Sequence, residues 1–280
     1  MAISAADVRN LREKTGAPMM DCKKALEATS GDFNAAEDHL RKLGLKAAGK
    51  KAGRATGEGK CLIKVAEDGT QGAMIALSCE TDFVAATEDF QAFLNALCDH
   101  VMTNKPQSVE EALGQAWAAG GTLQEALTET IGKLGENMSI AGVKFESVDG
   151  GFVGGYIHHN EKVGVLAAIK TESARADSEA FLKQLGMHAA AVPPAALRRD
   201  EISPELIERE TAIYREEVKN KPEDIQDKII TGKLEKFFKD QCLVDQPWVM
   251  DDSKSVARAV EDALGKGSVI TDYARFAIGG

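Results

Sequence analysis

The segment SCETDFVAATEDF, residues 78–90, closes an apolar run with an acidic residue and a bulky aromatic, Asp82 and Phe83. Beside a turn, such a pair has a natural chemistry. The ring supplies buried area in a partner's pocket, and the carboxylate supplies specificity. The spacing also allows a plainer account. Phe83 precedes Phe90 by seven residues, so a helix that began early would make it one more core residue and Asp82 its N-cap.

Few other residues have the types and spacing for chemistry. The five cysteines, Cys22, Cys61, Cys79, Cys98 and Cys242, are scattered, odd in number and never spaced CxxC. That pattern argues against a zinc site and against a disulfide framework, and fits buried, reduced thiols. Cys79 paired with a distant histidine is a nucleophile arrangement the residue types allow, because such sites are assembled in space, and no local signature supports it. His158 and His159 are adjacent, so on a strand they point to opposite faces and cannot chelate one ion. His39, His100 and His188 lack HExxH-like spacing. The stretch Gly265 to Ser268 lacks the upstream glycine and the Lys-Ser pair of a phosphate loop, and no GxGxxG follows a strand. The expectation is a non-enzyme with no metal and no cofactor of its own.

The bulk numbers set the class of partner. The 280 residues suggest about two domains at roughly 150 residues each. With 44% hydrophobic and 28% charged residues, the chain is well able to bury a core. A net charge of −10 points away from nucleic acid, where phosphate contacts favour basic surfaces, and toward proteins as partners. No apolar run approaches the ~20 residues that cross a bilayer, so no membrane partner is expected. The N-terminal MAISAADVRNLREKTG has neither a signal core nor a transit pattern, which makes a cytoplasmic location the expectation.

The elements that must position these residues read as α+β. Three short helices come first. Val8 and Leu11 share a face before Gly16. Pro18 starts the second helix, with Cys22, Ala25, Leu26 and Thr29 at helical spacing. Asp32 caps the third, whose inner face is Phe33, Ala36, Leu40 and Leu43, ending at Gly44. A basic stretch with Lys46, Lys50, Lys51, Arg54 and Lys60 follows; without interleaved aromatics it reads as a solvated linker or helix.

Strands take over from residue 59, with an Asp68-Gly69 turn between two apolar runs. Thr87 caps a helix that aligns Phe90, Phe93, Leu94, Leu97 and Val101. Ser108 with Glu111, and Thr122 with Glu125, mark two capping boxes. The strand-hairpin-helix unit recurs 92 residues on: Gly72 falls on Gly164, Leu77 on Ile169, Glu80 on Glu172 and Thr81 on Ser173. At the second corner Ala174 and Arg175 replace Asp82 and Phe83, so the acidic-aromatic pair is a local addition rather than a need of the scaffold.

A helical hairpin then starts at Ser203-Pro204. Leu206, Ile207, Ile213, Tyr214 and Val218 lie on one arm, Asn220-Lys221-Pro222 makes the turn, and Ile225, Ile229, Phe237 and Phe238 lie on the other. A last helix carries Val256, Val260 and Leu264, and a strand near Tyr273 and Phe276 closes the chain.

Five motifs, in order, resemble one family. RNLREKTGAPMMDCKKAL, CETDFVA, LGENMSI, GGYIHHNEKVGVL and QPWVM look like elongation factor Ts of the bacterial type. The resemblance implies a three-helix UBA-like domain over 1–56, a duplicated core over 57–146 and 147–202, an inserted antiparallel helical hairpin over 203–245, and a C-terminal module over 246–280 with its helix.

It implies a guanine nucleotide exchange factor that releases GDP from elongation factor Tu, in its GDP-bound and nucleotide-free forms. By resemblance, Thr81, Asp82, Phe83 and Val84 form a wedge that enters the GTPase domain and disturbs its Mg²⁺ and phosphate site. Met19, Met20 and Lys23, and Val249 and Met250, match further contacts with that domain, and Leu134 and Gly135 match another contact point. His158, or its neighbour His159, matches a contact with another domain of the partner. A homodimer or a 2:2 complex is compatible with the sequence. The alternative is a UBA-like module that binds nascent chains or other partners, resting on the first fifty residues.

Overall fold

The computed structural model describes residues 3–279, apart from the side chains of residues 45–48 and 224. The class is α+β, as expected. Helix α1 (Ala5–Thr15) is capped by Ser4 and stopped by Gly16, whose φ of 65° needs no Cβ. Helix α2 spans Met19–Ala28 and α3 spans Phe33–Lys51, the latter opened by Asp32, which accepts the Ala35 N–H at 3.0 Å. Val8, Leu11, Cys22, Ala25, Leu26 and Ala36 form their shared core.

One boundary is corrected. Helix α3 does not end at Gly44 but runs on through Lys51. Tertiary packing explains why. A Cβ built on Gly132 would lie 3.1 Å from the Gly44 Cα, so two helices cross here with almost no side chain between them. Gly44 therefore sits inside a helix as a contact point, and the loss of propensity of about 1 kcal/mol is tolerated. The basic stretch accordingly begins within a helix; Lys46 itself lies outside the described side chains.

Strands β1 (Glu58–Val65) and β2 (Gln71–Cys79) pair across the Asp68-Gly69 turn, where Gly69 has φ 76°. After β2 come the single turn α4 (Asp82–Ala85), then α5 (Glu88–Asn104), α6 (Val109–Gly114) and α7 (Leu123–Leu134). Thr122 makes the full capping box with Glu125. Ser108 makes half of one: Glu111 reaches one residue further and takes the Gln107 N–H at 2.7 Å. Strand β3 (Met138–Ser147), which no short-range pattern announced, pairs with β2 and gives the order β1-β2-β3.

The second sheet has the order β4-β5-β8, from β4 (Gly151–Ile157), β5 (Val163–Lys170) and, after a long excursion, β8 (Val269–Ala277). The excursion contains α8 (Arg175–Ala191), the hairpin α9 (Pro204–Val218) and α10 (Glu223–Gln241), the short pair β6 (Pro247–Trp248) and β7 (Asp251–Ser255), and α11 (Val256–Leu264). The hairpin opens as expected, with Ser203 accepting the Leu206 N–H and Pro204 at the first helical position. Its base packs on Ala196, Ile202 and Cys242.

The sheets pack face to face, each with helices on its outer face. On β2, Ala73, Ile75, Leu77 and Cys79 face α5 and α7, while Met74 and Ala76 face the other sheet. On β5, Val165, Ala167 and Ile169 face α8 and α11, while Leu166 and Ala168 turn inward. Both sheets also carry a bulge at the same place. The register slips between Ala76 and Leu77 in one, and between Ala168 and Ile169 in the other.

Between the sheets the fit is tight. A Cβ on Gly142 would lie 2.7 Å from two atoms of the Phe276 ring. Substituting Gly142→Val should therefore destabilise the protein by about 1–3 kcal/mol, the usual range for overpacking. The lower urea midpoint should be partly restored by adding Phe276→Leu.

Candidate functional site

The corner after β2 is built by two consecutive threonine caps. Thr81 is extended (φ −130°, ψ 154°) and its hydroxyl accepts the Val84 N–H, which starts α4. The turn lasts four residues. Thr87 then returns to extended backbone (φ −70°, ψ 148°), accepts the Phe90 N–H and donates to the Val84 carbonyl at 2.8 Å. One non-helical residue thus resets the helical phase between Phe83 and Phe90. Ala85 turns inward, Phe90 is fully buried, and Phe83 is left 82% exposed. The core account of Phe83, which needed a helix continuous with α5, is overturned, and the cap is Thr81 rather than Asp82. Asp82 is exposed beside the ring and Val84 is half-buried.

At the corresponding place in the second sheet, Arg175 is occupied within the molecule. Its guanidinium donates to the Glu67 carbonyl of the first hairpin and pairs with Glu179. Among the described residues Phe83 has no such internal partner, and its ring is left in solvent.

The structure brings Leu134 and Gly135 to this corner. They end α7, and the next residue, Glu136, accepts both the Thr81 hydroxyl at 2.6 Å and the Thr81 N–H at 3.0 Å. Lys133 reaches Asp89 at the start of α5 at 2.7 Å. The other side of α7 receives the N-terminal helices: Arg41 lies 3.5 Å from Glu125 and 3.4 Å from Glu129. Those pairs are exposed and so align the bundle more than they stabilise it. Met19 and Met20 open α2 with 49% and 60% of their surfaces free, and Lys23 is exposed, 3.8 Å from Glu27.

Val249 and Met250 belong to the other half of the molecule. They form the exposed turn between β6 and β7, above a buried frame. Trp248 stacks on Phe181 and His188, and the fully buried His188 accepts the Val249 N–H at its Nδ1 (3.2 Å). With Nδ1 an acceptor, Nε2 carries the proton and donates to Gln246 Oε1 at 2.9 Å. Burial lowers the His188 pKa from its ordinary 6.5. Sequence reasoning weighed His188 only as a metal ligand and gave Gln246 no role.

His158 requires a second correction. Strand β4 ends at Ile157, so His158 and His159 lie in the following turn, and their rings come within 4.2 Å instead of facing opposite ways. His158 bonds the Tyr156 hydroxyl through Nδ1 at 3.1 Å. No hydrogen bond or ion pair links His158 or Val249–Met250 to the Phe83 corner among the described residues. Nor do three or more metal-ligating side chains meet there. The Cys79 nucleophile fares badly: the thiol is buried, donates to the Thr81 carbonyl and is pushed up to about 11 by that burial.

Comparison with known proteins bears on this arrangement. The family model described as Elongation factor TS matches residues 80–280. A protein of Trichlorobacter lovleyi named elongation factor Ts is 43% identical over 290 residues, covering 100% of this chain and 93% of its own length. Its namesake in Clostridium botulinum strain Alaska E43 is 44% identical, covering 96% of this chain and 89% of its own. A third, from Cytophaga hutchinsonii, is 41% identical over 99% of both.

Two expectations follow from the buried groups. A histidine whose pKa is lowered by folding contributes stability that is present above its unfolded value and is lost as pH falls from there through the folded value. The frame under Val249 and Met250 should therefore weaken as pH drops below 6.5, the ordinary histidine value. Thermal melts of His188→Gln should show less of this acid-side loss, from a lower starting point. The thiols, all buried, should react with a disulfide reagent at a negligible rate until denaturant is added; prompt modification of Cys79 in the native protein would revive it as a nucleophile.

Proposed function

The chain belongs to the elongation factor Ts family, a family of translation elongation factors, and from that premise we propose that it is the guanine nucleotide exchange factor of elongation factor Tu. One observation carries the mechanism: a phenylalanine 82% exposed on a helical turn held at both ends by caps. A ring fixed in this way loses little conformational freedom on insertion, so more of its burial energy is available to distort the partner. Asp82 beside it gives the approach its polarity.

The exchange follows from linkage. If the factor binds nucleotide-free partner more tightly than GDP-bound partner, GDP binding must weaken by the same factor. The wedge of Thr81, Asp82, Phe83 and Val84 enters the GTPase domain and holds a conformation in which the Mg²⁺ and phosphate site is loosened. Met19, Met20 and Lys23 on one side of α7, and Leu134 and Gly135 at its end, extend the same docking face. Val249 and Met250 add a contact from the second half, and His158 one with another domain of the partner. In this mechanism no residue need transfer a proton or form a covalent bond.

The remaining architecture is proposed on the same footing. The three N-terminal helices form a UBA-like domain over 1–56. The core is duplicated over 57–146 and 147–202, a reading supported by the matching strand orders and the bulges 92 residues apart. The helical hairpin occupies 203–245 and the C-terminal module 246–280. The protein works in the cytoplasm, with elongation factor Tu as its partner and no nucleic acid of its own.

Stopped-flow release of fluorescent GDP from elongation factor Tu tests the reading. The wild-type chain should accelerate release. Phe83→Ala should lose roughly 30-fold of that acceleration, the equivalent of a hot spot of about 2 kcal/mol. Absence of any acceleration by wild type would refute the function, and equal acceleration by both proteins would refute the wedge.

A further inference from the structure

Two carboxylates cross between the strand-end motifs at the Phe83 corner. Glu136, from the loop after α7, takes the hydroxyl of Thr81 at 2.6 Å and its N–H at 3.0 Å. Glu80, from the loop after β2, takes the N–H of Asn137 at 2.6 Å and lies 3.4 Å from Arg54. Asn137 in turn donates to the Arg54 carbonyl at 2.8 Å. Each loop's glutamate thus accepts the other loop's backbone N–H.

The bond to the Thr81 hydroxyl has a geometric consequence. That hydroxyl donates its single proton to Glu136, which leaves an oxygen lone pair free to accept the Val84 N–H. The rotamer of Thr81, and with it the start of α4, is therefore fixed by a residue 55 positions away in sequence. Phe83 lies on that single turn, and α4 is too short to hold its own direction.

The second sheet supplies an internal control. There too a Leu-Gly pair, Leu264-Gly265, ends the helix before the third strand, and a Ser-capable corner follows the central strand at Ser173. Where the first loop has Glu136 after Leu134-Gly135, the second has Lys266, which is exposed. The Ser173 N–H is taken instead by Thr171 of its own loop at 3.1 Å, and Thr171 bonds Ser268 at 2.7 Å. The scaffold can close this corner without a carboxylate from the facing loop. The clamp occurs where the exposed aromatic does.

We propose that Glu136 is a positioning residue: its carboxylate, closed on both donors of Thr81, fixes the turn that carries Phe83 and so sets the direction in which the ring is presented to the GTPase. The proposal rests on the exchange-factor reading and adds to it the residue through which the wedge is held.

The test uses the full chain, alone and with elongation factor Tu carrying fluorescent GDP. In the chain alone, Glu136→Ala should speed hydrogen exchange at the Thr81 and Val84 amides by roughly tenfold, the equivalent of one lost hydrogen bond to a charged group, with the melting temperature little changed. With the partner, Glu136→Ala should lower the limiting rate of GDP release by roughly tenfold, the same loss carried through to the ring, while the half-saturating concentration stays near wild type. Glu136→Gln, which can still accept the Thr81 N–H, should fall between the two. Adding Glu136→Ala to Phe83→Ala should cost no further activity, because the glutamate acts through the ring. Unchanged amide exchange, an unchanged limiting rate, or additive losses in the double variant would each overturn the positioning role. A wild type that leaves GDP release unaltered would overturn the exchange reading and the role together, whereas a normal wild type with an indifferent Glu136→Ala would overturn the role alone.

Discussion

The two central strands, β2 and β5, are buried on both faces, and much of the rest of the molecule follows from that constraint. A strand covered by helices on one side and by a second sheet on the other has no solvent face on which to carry a site. In the layer between the sheets bulky residues such as Met74, Val153, Leu166, Ile278 and Phe276 are set among glycine and alanine. Such packing is dense and resists deformation. Exposed side chains are therefore displaced to the strand ends, where the backbone leaves the layers, and the proposed site lies at one of them.

At the end of β2 the displacement becomes a device. Helix α5 has to return over the sheet with Phe90, Phe93, Leu94 and Leu97 inward. Had it begun directly at Asp82, Phe83 would have followed its phase into the core. The extended Thr87 separates the two turns, so the buried face of α5 and the outward ring of Phe83 are set independently. The corner is stiff because its donors are satisfied at short range by Thr81 and Thr87 and at long range by Glu136. A binding element that is already ordered has less entropy to lose when it binds.

Helix α7 joins this corner to the N-terminal helices. One face of it fills the first core through Leu123, Leu127 and Ile131. Gly132 admits α3 at close range, and its last residues lead into the Glu136 clamp. Helix α3 of the N-terminal bundle and the turn that carries Phe83 therefore both meet α7 or the loop that follows it. The charges between these parts are mostly solvated and add little stability, but they fix register between surfaces that share few apolar contacts.

Where local chemistry decides, the sequence by itself determined the outcome. Gly16 and the Asp68-Gly69 turn stand where their backbone freedom is needed, and Thr87, Thr122 and Ser203 cap the helices they were expected to cap, because a cap involves only residues three apart. The apolar face of α5 was legible for the same reason, and the ordered motifs identified the family. Tertiary structure alone decided the points where a residue's neighbour is far away in the chain. Gly44 continues a helix because Gly132 meets it. The strand β3 forms because β2 offers an edge. His158 and His159 share a turn because the pairing of β4 with β5 stops at Ile157. Phe83 points outward because the short-range Thr87 cap resets its phase, but only the folded chain brings Glu136, 53 positions further on, against the Thr81 that starts its turn. Periodicity and capping are short-range properties that a sequence displays directly, whereas helix crossings, sheet edges and clamps exist only once the layers have come together.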